Sequence, residues 1–189
     1  MEFDKVIRER RSIRAFKQED VSDAQVREII EAGILAPSAK NAQPWRFVVI
    51  RDKQIDELCR AMEEFHAQNP EIPCSITKTV QVMREAPVCI LVFLPERIEK
   101  MAENAPWQFL IPDLTSIGAC FENMTLKAHD MGLGSLWICD VLYARDFAES
   151  FGQGCQIAGA LSVGVPDEQP PARPRKPLEE VTRFGAEEA

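Results

Sequence analysis

Ala86-Pro-Val-Cys-Ile-Leu-Val-Phe-Leu94 is the stretch that decides the fold. From Val88 to Leu94 every side chain is apolar, and the β-branched and aromatic residues favour an extended backbone. A strand that is apolar on both faces must be covered on both, so this segment predicts a central strand in a covered sheet. Upstream, Ile76 to Glu85 predicts a short helix that Pro87 follows. Ile55, Leu58, Cys59, Met62 and Phe65 mark a longer helix, closed before Pro70. Trp45-Arg-Phe-Val-Val-Ile50 reads as another strand. Before it, Ser22-Asp-Ala-Gln25 is a capping box opening a helix with Val26, Ile29, Ile30, Gly33 and Ile34 as its stripe, stopped by Pro37 at about Ala36. Phe3, Val6 and Ile7 share one face of a first helical segment.

Downstream of the central strand, Pro95 to Pro112 reads as an irregular surface excursion or lid that carries Trp107 and Phe109. Leu114, Ile117, Cys120, Phe121, Met124 and Ala128 predict a long buried helix ending at Gly132. Leu133 to Ile138 and Ile157 to Val163 predict two more strands, with a short helix over Ala144 to Phe151. From Pro166 onward, five prolines favour an extended arm. No repeat and no linker separates two cores, so residues 1–189 read as one α+β domain with a central sheet.

Composition narrows the function. The 189 residues are 46% hydrophobic and 28% charged, with 22 Lys+Arg against 30 Asp+Glu and a net charge of −8. That balance excludes a general nucleic-acid binder or a protein of anionic membrane surfaces, which need a broad basic face. No apolar run is long enough to span a bilayer and Met1 to Lys5 opens no signal peptide, so a cytoplasmic location is expected. The six cysteines form no C-x-x-C pair and have no histidine at zinc-finger spacing, so reduced thiols and no metal site are expected. His66 and His129 read as satisfied surface histidines on helices, without the neighbours of a hydrolase triad.

Against this acidic background stand two basic clusters. Residues 8–14 carry four Arg and one Glu, net +3, and Arg173-Pro-Arg175-Lys176 adds another +3, which leaves the rest of the chain at −14. Guanidinium forks with the Ser12 hydroxyl suit a phosphate. A solvated helix end and an exposed tail are the plain alternatives, and one anion shared by both clusters would account for the two together. A third candidate, Ala36-Pro-Ser-Ala-Lys-Asn-Ala-Gln-Pro-Trp45, concentrates turn formers and side-chain donors, as a binding loop or an ordinary connection would. Gly132-Leu-Gly134-Ser135 permits close backbone approach but lacks the dinucleotide fingerprint. No side chain stands out as a catalyst, which points to chemistry borrowed from a cofactor.

Taken in order, Arg10-Arg-Ser-Ile-Arg14-Ala-Phe16, the Ala36 to Phe47 stretch, Ala86-Pro-Val, Glu122-Asn-Met124, Gly132-Leu-Gly-Ser-Leu-Trp-Ile138 and Arg173-Pro-Arg-Lys-Pro177 resemble the FMN-dependent nitroreductase family over nearly the whole chain. The resemblance implies a three-layer α/β/α fold with a central, mostly antiparallel sheet and an extended C-terminal arm, about residues 166–189, packed on a partner subunit. It implies a homodimer holding FMN at the subunit interface. Arg10, Arg11, Ser12 and Arg14 match the positions that hold phosphate, ribityl chain and pyrimidine edge. Pro37, Ser38, Ala39 and Asn41 match the loop given by the partner subunit. Ile138, Cys139 and Asp140 fall where backbone approaches the flavin ring, and Arg173 and Arg175 match the cations that complete the phosphate site.

Two departures stand out. Cys139-Asp140 occupies a place where small residues such as Gly are common in the family, and a carboxylate facing the flavin would disfavour its reduction. Lys78 and Thr79 are the nearest candidates for a family Asn/Lys contact. The expected activity is reduction of a small organic acceptor (a nitroaromatic, quinone or relative) by NADH or NADPH, through ping-pong hydride transfer on FMN. Trp107 and Phe109 are expected to shape acceptor choice. The alternatives are a flavin-binding module without turnover and a structural dimerisation protein.

Overall fold

The computed structural model describes residues 2–72, 74–95 and 106–185, the last segment as backbone alone over 106–109. Its helices are α1 (Phe3–Glu9), α2 (Asp23–Ile34), α3 (Asp52–Gln68), α4 (Ile76–Glu85), α5 (Pro106–Asp130), α6 (Arg145–Ser150) and α7 (Leu178–Val181). The strands are β1 (Arg46–Ile50), β2 (Val88–Leu94), β3 (Gly134–Ile138) and β4 (Gln156–Gly164). They form one antiparallel sheet in the order β1-β2-β4-β3.

β2 is buried along its whole length between β1 and β4, as its sequence predicts. Its side chains alternate between two cores. Cys89, Leu91 and Phe93 pack with Leu58, Met62, Val80 and Met83 of α3 and α4. Val88, Ile90, Val92 and Leu94 pack with Val26 and Ile29 of α2 and with Ile117, Phe121 and Met124 of α5. Helices therefore cover both faces of the sheet, giving three layers. Each fully buried Leu, Ile, Met or Phe in these cores contributes about 1.5–3 kcal/mol.

Local signals set the ends of the helices. The Ser22 hydroxyl accepts the Gln25 N–H at 3.3 Å and the Gln25 side chain accepts the Ser22 N–H at 3.0 Å, closing the capping box. α5 ends where Gly132 turns left-handed at φ 77°, letting Leu133 N–H reach the Ala128 carbonyl at 2.9 Å.

The irregular reading of Pro95 to Pro112 fails over its second half. Residues 106–112 are the first turns of α5: a leading proline suits a helix start, and Pro112 lies inside the helix. The Pro112 carbonyl accepts the hydroxyls of Thr115 at 3.0 Å and Ser116 at 2.6 Å. Residues 96–105 and the Trp107 and Phe109 side chains, on which the lid and acceptor readings fall, lie outside the described residues. The predicted helix over Ala144 to Phe151 starts at Arg145, after a 3-10 turn over Asp140–Ala144. From Pro166 to Gly185 the arm is extended as predicted, apart from the single turn of α7. Among the described residues no helix is long and apolar enough to cross a membrane.

All six cysteines are free. Burial pushes the thiols of Cys59, Cys89 and Cys120 up to about 12, so they serve the core as small apolar groups. The histidines differ from expectation. His129 is half-buried with its Nε2 unpartnered, and burial lowers its pKa. His66 does have a cysteine neighbour: its Nδ1 lies 3.5 Å from the Cys74 sulfur.

Candidate functional site

The chain leaves α1 at Arg10 and runs extended past β3. Ile13 N–H donates to the Ser135 carbonyl at 3.0 Å, and Ser12 bridges Ser135 in parallel. Further on, Lys17 N–H donates to the Val165 carbonyl and Asp167 N–H to the Ala15 carbonyl, each at 2.9 Å. Residues 12–17 are thus pinned between β3 and the chain that follows β4. Contact is tight: a Cβ on Gly134 would lie 2.9 Å from two side-chain carbons of Ile13. Ile13 and Phe16 are buried, whereas Arg14 remains exposed.

This frame brings the two basic clusters together. Arg10, Arg11, Ser12, Arg14, Arg173 and Arg175 line one cleft of about 590 Å³. Arg11 is tied by its guanidinium to the Arg8 and Arg10 carbonyls at 2.7 and 2.8 Å. The guanidinium of Arg14 donates to the Ser12 carbonyl at 3.3 Å, while its backbone N–H donates to the Glu168 carboxylate. Among the described residues Arg175 donates only to carbonyls of its own arm, including that of Arg173 at 3.2 Å. Arg10 Nε is buried without a hydrogen-bond partner and stands 3.7 Å from the Glu122 carboxylate. Lys176 pairs with Glu180 at 2.5 Å, so it is the compensated member of the tail cluster.

Arg14 also lines a second cleft of about 260 Å³, shared with Lys78 and Thr79 of α4 and with Ile138, Cys139 and Asp140 at the end of β3. Burial and the Asp140 carboxylate hold the Cys139 thiol above its ordinary range. The Asp140 carboxylate accepts the hydroxyls of Ser75, the residue before α4, at 2.6 Å and of Thr79, in its first turn, at 2.5 Å. Sequence reasoning missed Ser75. Its signal was the four-residue spacing from Thr79 at the head of a helix, which puts both hydroxyls on one face.

The loop of Pro37, Ser38, Ala39 and Asn41 is not brought to either cleft. Pro37, Ser38 and Ala39 face a separate hollow against Ile111, Thr115 and Ser116 of α5. Lys40, Asn41 and Gln43 all have φ near +50°, costly for residues with a side chain, and the Ser38 hydroxyl accepts Gln43 N–H at 3.0 Å to hold the turn.

Residues 7–165 match the model described as the nitroreductase family. Over 134 residues the chain is 32% identical to a candidate NADH dehydrogenase/NAD(P)H nitroreductase of Archaeoglobus fulgidus, a match covering 71% of this chain and 65% of that one. A crystal structure of a candidate nitroreductase in complex with FMN, from Desulfovibrio desulfuricans, is 31% identical with a TM-score of 0.73, covering 96% of this chain and 95% of that one. A BluB-like flavoprotein from Clostridium difficile is 28% identical with a TM-score of 0.80, covering 98% and 100%.

Proposed function

The chain belongs to the nitroreductase family, and from that premise we propose that it is an FMN-dependent oxidoreductase that uses NAD(P)H to reduce a small organic acceptor. The observation that carries this reading is the convergence of cations from residues 10–14 and 173–175 on one cleft, all but Arg10 without a carboxylate on the guanidinium among the described residues, continued through Arg14 to the end of β3. The donor set fits FMN. A buried Arg10 Nε without a hydrogen bond, two arm guanidiniums without a carboxylate among the described residues, and the Ser12 hydroxyl suit a phosphate.

In this reading Arg10, Ser12, Arg173 and Arg175 bind the phosphate, with Arg11 buttressing the turn between them. Arg14 and Lys78 meet the pyrimidine edge, and the Ile138–Asp140 backbone lies along the ring. Two positive charges then stand where negative charge develops on reduction, which favours the reduced state. Bound there, FMN would supply two-electron exchange between NAD(P)H and the acceptor in alternating half-reactions.

The 37–41 loop would serve the other site of a homodimer, since in its own subunit it faces α5 and neither cleft. The arm over residues 166–189 of the single domain would pack on the partner, which suits its exposed Leu178, Val181 and Phe184. Six free thiols suit the reducing cytoplasm.

The test is colour and turnover. Purified protein should show an oxidised-flavin spectrum that NADH or NADPH bleaches and that an acceptor such as a quinone restores. A colourless protein that FMN cannot reconstitute overturns the proposal. Yellow protein that dithionite bleaches but neither nicotinamide does would make this a flavin-binding module without turnover.

A further inference from the structure

Ser75 stands at the N-cap of α4, yet its side chain caps no backbone N–H of that helix. Its hydroxyl is spent on Asp140 instead, at 2.6 Å, beside that of Thr79 at 2.5 Å. The carboxylate itself stands against the first turn of α4, where the helix dipole favours an anion. Lys78 lies between the two hydroxyl residues in sequence and lines the same cleft as Asp140 and Arg14. Among the described residues it has no carboxylate within ion-pair distance, and both hydroxyls bond the same Asp140 oxygen, Oδ2.

We propose that Asp140 is a positioning residue: it latches the first turn of α4 to the end of β3 and so presents Lys78, uncompensated, beside Arg14. The latch fixes the carboxylate at one place in the cleft, held by the two hydroxyls and outside ion-pair distance of Lys78. Unlatched, Asp140 would be free to pair with Lys78, and an anionic ligand edge would lose that contact. This inference rests on the FMN reading for the identity of the ligand.

A double-mutant cycle on the full chain tests it, with FMN affinity read by flavin fluorescence quenching and folding checked by thermal melting. D140A should weaken FMN binding about fivefold, and S75A/T79V should weaken it more, since the freed carboxylate then competes for Lys78. D140N keeps an acceptor for both hydroxyls, so it should lose clearly less affinity than D140A. Its bound flavin should have a more positive midpoint potential, because a negative charge has left the cleft. In a K78M background, D140A should cost no further affinity. Equal cost of D140A with and without Lys78, or unchanged affinity in folded S75A/T79V, overturns the latch. Where D140A does not fold, the S75A/T79V and D140N pair decides. Wild type that takes up no FMN sinks the flavin reading and this inference with it; wild type that binds FMN with an additive cycle sinks the latch alone.

Discussion

Two arginine-lined clefts of this molecule handle their charge in opposite ways. In the hollow beside α3, Arg51 meets Asp20 at 3.2 Å and Asp23 at 3.0 Å, and Arg84 meets Asp56 at 3.1 Å and Glu63 at 2.6 Å. There each guanidinium has two carboxylates. In the cleft between the chain's two ends, the guanidiniums of Arg14, Arg173 and Arg175 have none among the described residues, and that of Arg10 has one ion pair, to Glu122 at 3.7 Å. The first hollow is the larger, at about 730 Å³ against 590 Å³, so size does not mark the site. Uncompensated charge in an acidic protein does. Repulsion among those cations costs stability in the unliganded chain, and an anion would relieve it.

Breaking the bare cluster should have the largest effect. R10A/R175A should weaken FMN binding at least tenfold, at about 1.5–3 kcal/mol for each charge-assisted contact, while the melting temperature of the flavin-free chain holds or rises. Unchanged affinity in a titration would show that the two ends do not share an anion.

An alanine at Gly134 attacks the frame that carries the cluster. Its Cβ would push Ile13, so a loss of about 1–3 kcal/mol in denaturant unfolding is expected, with weaker FMN binding alongside. Salt offers a milder contrast. FMN affinity should fall steadily as ionic strength rises and the Debye length shrinks below about 10 Å, a trend isothermal titration would follow.

The smallest effect belongs to the compensated hollow. R84A should lower the melting temperature by about 2 °C and leave FMN affinity untouched. Its signature is in acid. Hydrogen bonds from Arg84 hold the carboxyls of Asp56 and Glu63 below their usual values. Their stabilisation is therefore complete above the ordinary carboxylate range and is lost as pH falls through the lowered folded values. In R84A that part of the acid limb should flatten, as melting curves across pH 2 to about 5 would show.

What the sequence revealed depended on how local the physics was. Val88–Leu94 announced a central strand because continuous apolarity has one structural solution, and Ser22 with Gln25 announced a helix start because both partners lie three residues apart. The basic clusters could be read as charge, and their meeting only as an economical guess. Pro106 and Pro112 misled because proline is a poor helix former on average, although packing of the stripe from Ile117 to Met124 overrides it. The left-handed residues Lys40, Asn41 and Gln43 carried no glycine to announce them. The bond from Thr79 to Asp140 spans 61 residues, and no local pattern encodes such a pairing.

The bond from Arg14 N–H to Glu168 joins positions 154 residues apart, and while residues 12–13 rest on β3, residues 14–17 are held by chain made only after β4. During synthesis the helices and most of the sheet can therefore assemble while the first basic cluster still waits, its frame incomplete. Contacts of such long sequence separation pay the largest loop-closure cost and form late. Binding competence should then appear as the closing event of folding, after most of the core is in place. A chain stopped short of Val165 would be a nearly finished scaffold with no grip on an anion.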